Sequence, residues 1–335
     1  MSYGEEAMKS QQPTRRGFTR IDLVVVLGLV AVCAVFALPS LHYARETASN
    51  TSCAARLGKL GKAVEDYETV NGFYPDGWYH PQDVNGSTTY HGFCTMLLPH
   101  LGEGSLQKKY HFDKPWWAAE NQEVVNTRVE TFECPTSPVE HVRKGLKAVG
   151  SAAEFPDRTM AIGDYIILRG YYDFAASPAP VDARVMGMLM GLSDPGARDM
   201  AVDIRPRREL VTDGLAHTAM IGERCGRPGY WVKGKKVSDT NTLFGFDGGW
   251  ASYQSVWPRT FEEDGKTITT QGVGPKAINC NNGFGVYSFH PGGANVVFGD
   301  GAVHFLNEKI SSYVFLALLS RQRGEVLDTS DYESK

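Results

Sequence analysis

The chain has 335 residues, 42% of them hydrophobic, and a formal net charge of −4. That length leaves room for a short anchor plus one large domain or two small ones. The mild acidity argues against a nucleic-acid partner, and the one basic cluster, Arg205-Pro206-Arg207-Arg208, reads as a solvated loop.

Residues 1–17 are polar and read as a leader. From Arg15 the sequence runs RRGFTRIDLVVVLGLVAVCAVFALPS, with sixteen uncharged residues from Leu23 to Leu38. A helix needs about 20 apolar residues to cross a bilayer, so 21–41 is a marginal transmembrane candidate. Lys9, Arg15 and Arg16 precede it, which keeps the N-terminus cytoplasmic and sends the rest of the chain across. An acid such as Asp22 near the end of a membrane helix is costly and points to function. Three plainer readings stand beside this one: a signal peptide cleaved after Val35-Phe36-Ala37, a lipoprotein signal ending at Cys33, and an uncleaved anchor.

The order basic, Gly17, Phe18, Thr19, acid, apolar run resembles the class III signal of type IV pilins and pseudopilins. That resemblance implies a prepilin peptidase cutting after Gly17 and methylating Phe18. It implies that Asp22 meets a neighbouring subunit's N-terminus in assembly, and that Pro39 matches the helix-kinking proline of pilins. Here the acid is Asp rather than the usual Glu, and Arg20 stands at a normally apolar position.

The helix is expected to continue past the apolar run. Leu57, Leu60, Val64 and Tyr67 recur at spacings of three and four, the face of an amphipathic helix, and Asn71-Gly72 stops it. From Phe73 onward Gly, Pro, Asn and aromatics punctuate short apolar runs, as in sheet-rich domains. Phe93 to Leu101 reads as a short helix. Thr131 to Pro135, Tyr165 to Leu168, Val185 to Leu192 and Thr218 to Glu223 read as strands, with a turn at Thr212-Asp213-Gly214. Ala294 to Phe298 and Ala302 to Leu306 form a hairpin around Gly299-Asp300-Gly301, where positive φ is wanted. A short helix fits 308–319, and 328–335 reads as a disordered polar tail.

Of six cysteines, Cys33 lies in the apolar run. Cys53, Cys94, Cys134, Cys225 and Cys280 lie outside it, where oxidation is permitted. Five is odd, so at least one thiol stays free, and the pairing is left open. No C-x-x-C or C-x-x-H pair is present, which argues against a zinc site.

Together these segments resemble the pilin-like DUF1559 family, whose C-terminal H-x9-D-G motif corresponds here to His290 and Asp300-Gly301. CAARLGKLGKAVEDYETVNGFYPDG from Cys53, LLPHLGEGSLQKKYHFDKPW, FECPTSP, TDGLAHTAMIGE and INCNNG follow that family's landmarks in order. The resemblance implies an α+β fold in which a long N-terminal helix, transmembrane and then amphipathic, packs on a sheet-rich C-terminal head. The expected organisation is a leader at 1–17, a pilin-like helix at 18–72, a head at 73–327 and the tail at 328–335.

No nucleophile elbow, H-E-x-x-H pair or P-loop is present, and no catalytic residue, metal ligand or cofactor is expected. A six-residue strand spans roughly 20 Å, so His290 and Asp300 stand at opposite ends of one strand and do not pair. Asp300 and Gly301 shape the turn, and His290 hydrogen-bonds a loop. Trp78, Tyr79, Trp116, Trp117, Trp231 and Trp250 either stack on planar ligands or fill the core. The expected function is a structural or minor subunit of a secretion- or pilus-like assembly, not an enzyme. It is single-pass in the inner membrane with an extracytoplasmic head, and its partners are prepilin peptidase and other pilin-like subunits. The alternative is a tethered binding module for a glycan or solute.

Overall fold

The computed structural model describes residues 19–77, 91–139, 141–147, 154–172, 184–190, 205–239, 248–252, 255–270 and 272–332. Gly17, Phe18, Trp78 and Tyr79 lie outside them. The chain divides into two compact units, Met1–Thr47 and Ala48–Lys335. Helix α1 (Arg20–Asn71) contributes to both, so the boundary falls within the helix rather than at its end.

In the first unit, α1 is capped by its own acid. The Asp22 carboxylate accepts from the Thr19 amide at 2.9 Å and the Thr19 hydroxyl at 2.7 Å, and Thr19 Oγ1 accepts from the Asp22 amide at 3.2 Å. This reciprocal arrangement is a capping box. Leu23, Val24, Val25, Val26 and Leu27 are all exposed. Five consecutive residues at about 100° per step cover every side of a helix, so this segment is apolar all round. The helix continues through Pro39. A transmembrane part at 21–41 is not supported: no described helix is long and apolar enough to cross a membrane. The apolar run from Leu23 to Leu38, sixteen residues before Pro39 and Ser40, falls short of about 20, and Arg20 and Asp22 bound it on one side.

In the second unit the helix is amphipathic as its spacing predicts. Cys53, Leu57, Leu60 and Val64 are fully buried, while Lys59 and Lys62 are exposed. The helix ends at Asn71, and Gly72 follows at φ +76°, the left-handed stop that glycine takes without a Cβ penalty. Short helices α2 (Phe93–Leu97), α3 (Gly104–Lys109) and α4 (Gln122–Val125) come next. Then come the antiparallel pair β1 (Val142–Lys147) and β2 (Glu154–Ala161), strand β3 (Tyr165–Leu168), and the pair β4 (Gly170–Tyr172) and β5 (Arg184–Met186). Strand β6 (Ala219–Glu223) is followed by the pair β7 (Tyr230–Val232) and β8 (Lys235–Ser238), and by β9 (Ser255–Val256). The predicted hairpin is β10 (Gly293–Phe298) and β11 (Val303–Asn307), and α5 (Ser312–Leu318) follows it.

The central sheet has the order β11-β10-β6-β3-β9, antiparallel except for β3 with β9. It is covered on both faces. Tyr165 and Ile167 join Leu57, Leu60, Ile221 and Val297 in one apolar cluster; Ile166 and Leu168 join Val296, Phe298, Leu306 and Phe315 in the other. This is the two-residue alternation of a strand with a core on each side, which is why β3 reads as an unbroken apolar run.

Three expectations are corrected. Thr131 to Pro135 is not a strand: Glu130–Phe132 is a 3-10 turn. Its polar backbone groups are taken elsewhere. Asp164 accepts from the Cys134 amide, and the Glu133 carbonyl accepts from Arg56 and the Tyr165 hydroxyl. The strand at 185–192 is short, ending at Met186 and turning back at Gly187, and 191–192 lie outside the described residues. The tail is folded at 328–332, and 333–335 lie outside the described residues. Asp328 caps a turn, and the Tyr332 ring is buried 5.5 Å from those of Phe298 and His304. An apolar ring near the chain end anchors what polar composition alone read as frayed.

Candidate functional site

Four side chains from distant segments converge beneath α1. Cys53 comes from α1, Cys134 from the stretch after the 3-10 turn, Glu223 from the last position of β6, and His290 from just before β10. All four are buried, and their sulfur, carboxylate and imidazole atoms lie within 4.8 Å of one another. Cys53 and Cys134 form a disulfide, with Cα atoms 5.3 Å apart. His290 Nε2 stands 3.4 Å from Glu223 Oε1 and 3.6 Å from Cys134 Sγ, and Glu223 Oε1 is 3.9 Å from that sulfur.

A buried carboxylate needs donors. Asn295, in β10, supplies two: its amide donates to Glu223 Oε2 at 2.7 Å and its Nδ2 to Oε1 at 3.1 Å. The same Nδ2 donates to Asn50 Oδ1 on α1. The His290 amide donates to Ser288 Oγ at 3.1 Å, so His290 is held from its own loop while its ring meets the acid.

A second buried acid lies alongside. Asp164 accepts from the Cys134 amide at 2.9 Å and Ser137 Oγ at 3.0 Å. Burial pushes its carboxyl up to about 6, although both hydrogen bonds and the nearby Arg227 pull it down. Burial also holds the Tyr165 hydroxyl and the Cys225 thiol well above their ordinary ranges, reinforced by the Glu223 charge. Asn282 ties the surrounding loops: its Nδ2 donates to the carbonyls of Cys225 and Gly229, and its Oδ1 accepts from the Trp231 amide.

His290 also lines a cavity of about 700 Å³, whose wall carries Lys233, Lys276, Lys309, Glu263 and Glu308. His290 thus joins the buried cluster to a charged opening.

The other predicted site residues fall as follows. Asp300 sits in the hairpin turn, where Oδ1 accepts from the Ala302 amide at 2.9 Å, and Gly301 follows at φ +84°. Neither belongs to the buried cluster. Cys94, Cys225 and Cys280 are free and buried, and burial pushes the Cys280 thiol up to about 12. Trp116 and Trp250 are core residues, and Trp117 and Trp231 are half-buried. The sequence reading missed Glu223 as a partner of His290 and Asn295 as its donor. The signal for Glu223 was a carboxylate closing a strand that is otherwise apolar throughout, AMIGE.

The family model described as a protein of unknown function (DUF1559) matches residues 42–312, a span that contains Cys53, Cys134, Glu223 and His290. The type IV wide pilus major component PilA4 of Thermus thermophilus is 36% identical over 59 residues, 18% of this chain and 45% of that protein. The match therefore spans less than half the length of that relative. No solved structure matches the chain significantly. With a family match over most of its length, the chain belongs to the DUF1559 family.

Proposed function

We propose that this is a membrane-anchored pilin-like protein, a structural or minor subunit of a secretion- or pilus-like assembly, and not an enzyme. The observation that carries the reading is the stretch 23–33 of α1, which is apolar on every side and exposed. Such a helix is stabilised by lipid or by like helices around it. The local similarity to a type IV pilus component supports the same reading. On this reading prepilin peptidase cuts after Gly17 and methylates Phe18. The head is extracytoplasmic, and Asp22 turns from its own Thr19 cap to a neighbouring subunit's Phe18 amine.

Intact mass and N-terminal sequencing of the protein from its native membrane test it. N-methyl-Phe18 at the N-terminus is the expected result. A chain beginning at Met1 or near Leu38 overturns pilin-type processing. Asp22→Asn separates capping from charge: it keeps an acceptor for Thr19 and removes the carboxylate, so loss of assembly marks the charge as the required feature.

A second reading, a tethered module for a glycan or solute, is favoured by the charged cavity beside His290. Saturable binding of one member of a glycan or solute panel, lost on Lys276→Ala, supports it. Featureless binding across the panel removes it.

A further inference from the structure

Three edges of a tetrahedron are already laid out in the buried cluster. Ligand atoms about 2.0–2.3 Å from a tetrahedral zinc stand roughly 3.3–3.8 Å from one another. The separations from Glu223 Oε1 to His290 Nε2, from His290 Nε2 to Cys134 Sγ and from Glu223 Oε1 to Cys134 Sγ are 3.4, 3.6 and 3.9 Å. The remaining requirement is that the two sulfurs part. Both cysteines are fixed by their surroundings, Cys53 by its place on α1 and Cys134 by the bond from its amide to Asp164. The second layer that a metal site needs is also present: Asn295 donates twice to the Glu223 carboxylate and orients it. His290 also lines the neighbouring charged cavity.

We infer that Cys53, Cys134, Glu223 and His290 form a redox-gated zinc site, closed as a disulfide under oxidising conditions and able to take one Zn²⁺ when reduced. The reductant is a dithiol. Its thiolate attacks one sulfur of the Cys53–Cys134 bond, and its second thiol releases the mixed disulfide. Two electrons and two protons thus pass to the cysteines, and the reductant leaves as a cyclic disulfide. Zinc then displaces the two thiol protons and is held by two thiolates, the imidazole and one carboxylate oxygen. The four ligands come from four separate segments, which is why no linear spacing carries the site. The inference stands apart from the pilin-like reading, and neither fails with the other.

The test uses the full chain, reduced with a dithiol, freed of it under anaerobic conditions and titrated with Co²⁺ and then Zn²⁺. The expected result is one equivalent of cobalt with a thiolate-to-metal charge-transfer band, displaced by zinc. The oxidised chain and the Cys53→Ser/Cys134→Ser variant give no band. His290→Ala and Glu223→Gln each weaken zinc binding at least tenfold. Because the double variant can fail to fold, melting of the unmodified chain is measured as well: zinc raises Tm of the reduced form and leaves the oxidised form unchanged. A reduced chain without a thiolate band overturns the inference. So does an equal band in the double serine variant, which assigns binding to other cysteines, or an equal Tm shift in both redox forms.

Discussion

Gly61 on α1 faces Val297 on β10 so closely that a methyl group on Gly61 would stand 2.7 Å from Val297 Cγ2. The helix therefore settles on the hairpin through a position where only hydrogen fits. One turn earlier, a methyl group on Gly58 would meet Val303 Cγ2 at an ordinary 3.6 Å. Two identical substitutions should have opposite signs. Gly61→Ala overpacks the contact and costs about 1–3 kcal/mol, more than the helix propensity it gains. Gly58→Ala gains about 0.5–1 kcal/mol from propensity alone. Urea denaturation of the two variants checks both, and a shared sign would sink the packing argument.

The disulfide closes a loop between residues separated by 81 positions. Restricting the unfolded chain over that length is worth about 4 kcal/mol. Reducing the protein in the presence of a chelator should lower its unfolding free energy by that order. A loss below about 1 kcal/mol would show that the unfolded chain is already restricted there.

Glu223 gives Asn295 two acceptors in a buried site. Glu223→Ala leaves the Asn295 amide without its acceptor and removes the acid that faces His290, and it should cost about 3–5 kcal/mol. Glu223→Gln keeps one acceptor oxygen and should cost distinctly less. Chemical denaturation of the pair at neutral pH checks the order, and equal losses would assign the effect to volume rather than hydrogen bonding.

Asp264 organises the 262–268 turn beside the charged cavity. Its carboxylate accepts from the Thr267 hydroxyl at 2.6 Å and from the amides of Thr267 and Lys266 at 2.8 Å each. The Thr267 hydroxyl, followed by the two amides, holds its carboxyl down to about 2, below the ordinary 3.8. A lowered folded value means that the stabilisation is complete above 3.8 and is lost as pH falls through about 2. An NMR titration of the Asp264 carboxyl carbon should show that low midpoint, and Thr267→Ala should move it back toward 3.8. An unshifted midpoint in the unmodified chain would remove the turn's hydrogen bonds from the account.

Much of the framework was legible because it rests on short-range chemistry. The 3.6-residue spacing of Leu57, Leu60 and Val64 and the Asn71-Gly72 stop required no knowledge of the rest of the chain. The same holds for the β10–β11 turn at Asp300-Gly301. The candidate site was not legible in this way. Cys53, Cys134, Glu223 and His290 are brought together by the packing of α1 over the sheet, and no local pattern records which cysteine meets which. Cys134 illustrates the limit. Its segment looks like a strand by composition, yet Asp164, Tyr165 and Arg56 take the hydrogen bonds a ladder would have used. Tyr332 misled in the opposite direction, because one buried ring outweighs several polar neighbours.

The Cys53–Cys134 bond also sets how the second unit responds to tension. A pull entering along α1 reaches Cys53 and passes through the sulfur bridge to Cys134, so the segment 54–133, with α2, α3 and α4, bears none of it. Stretched between its ends, the oxidised chain should extend to a contour roughly 280 Å shorter than the reduced chain, at about 3.3–3.6 Å per residue over 81 positions. The bridge thus acts as a mechanical bypass, directing load past the helical part of the core and onto the strands that follow Cys134.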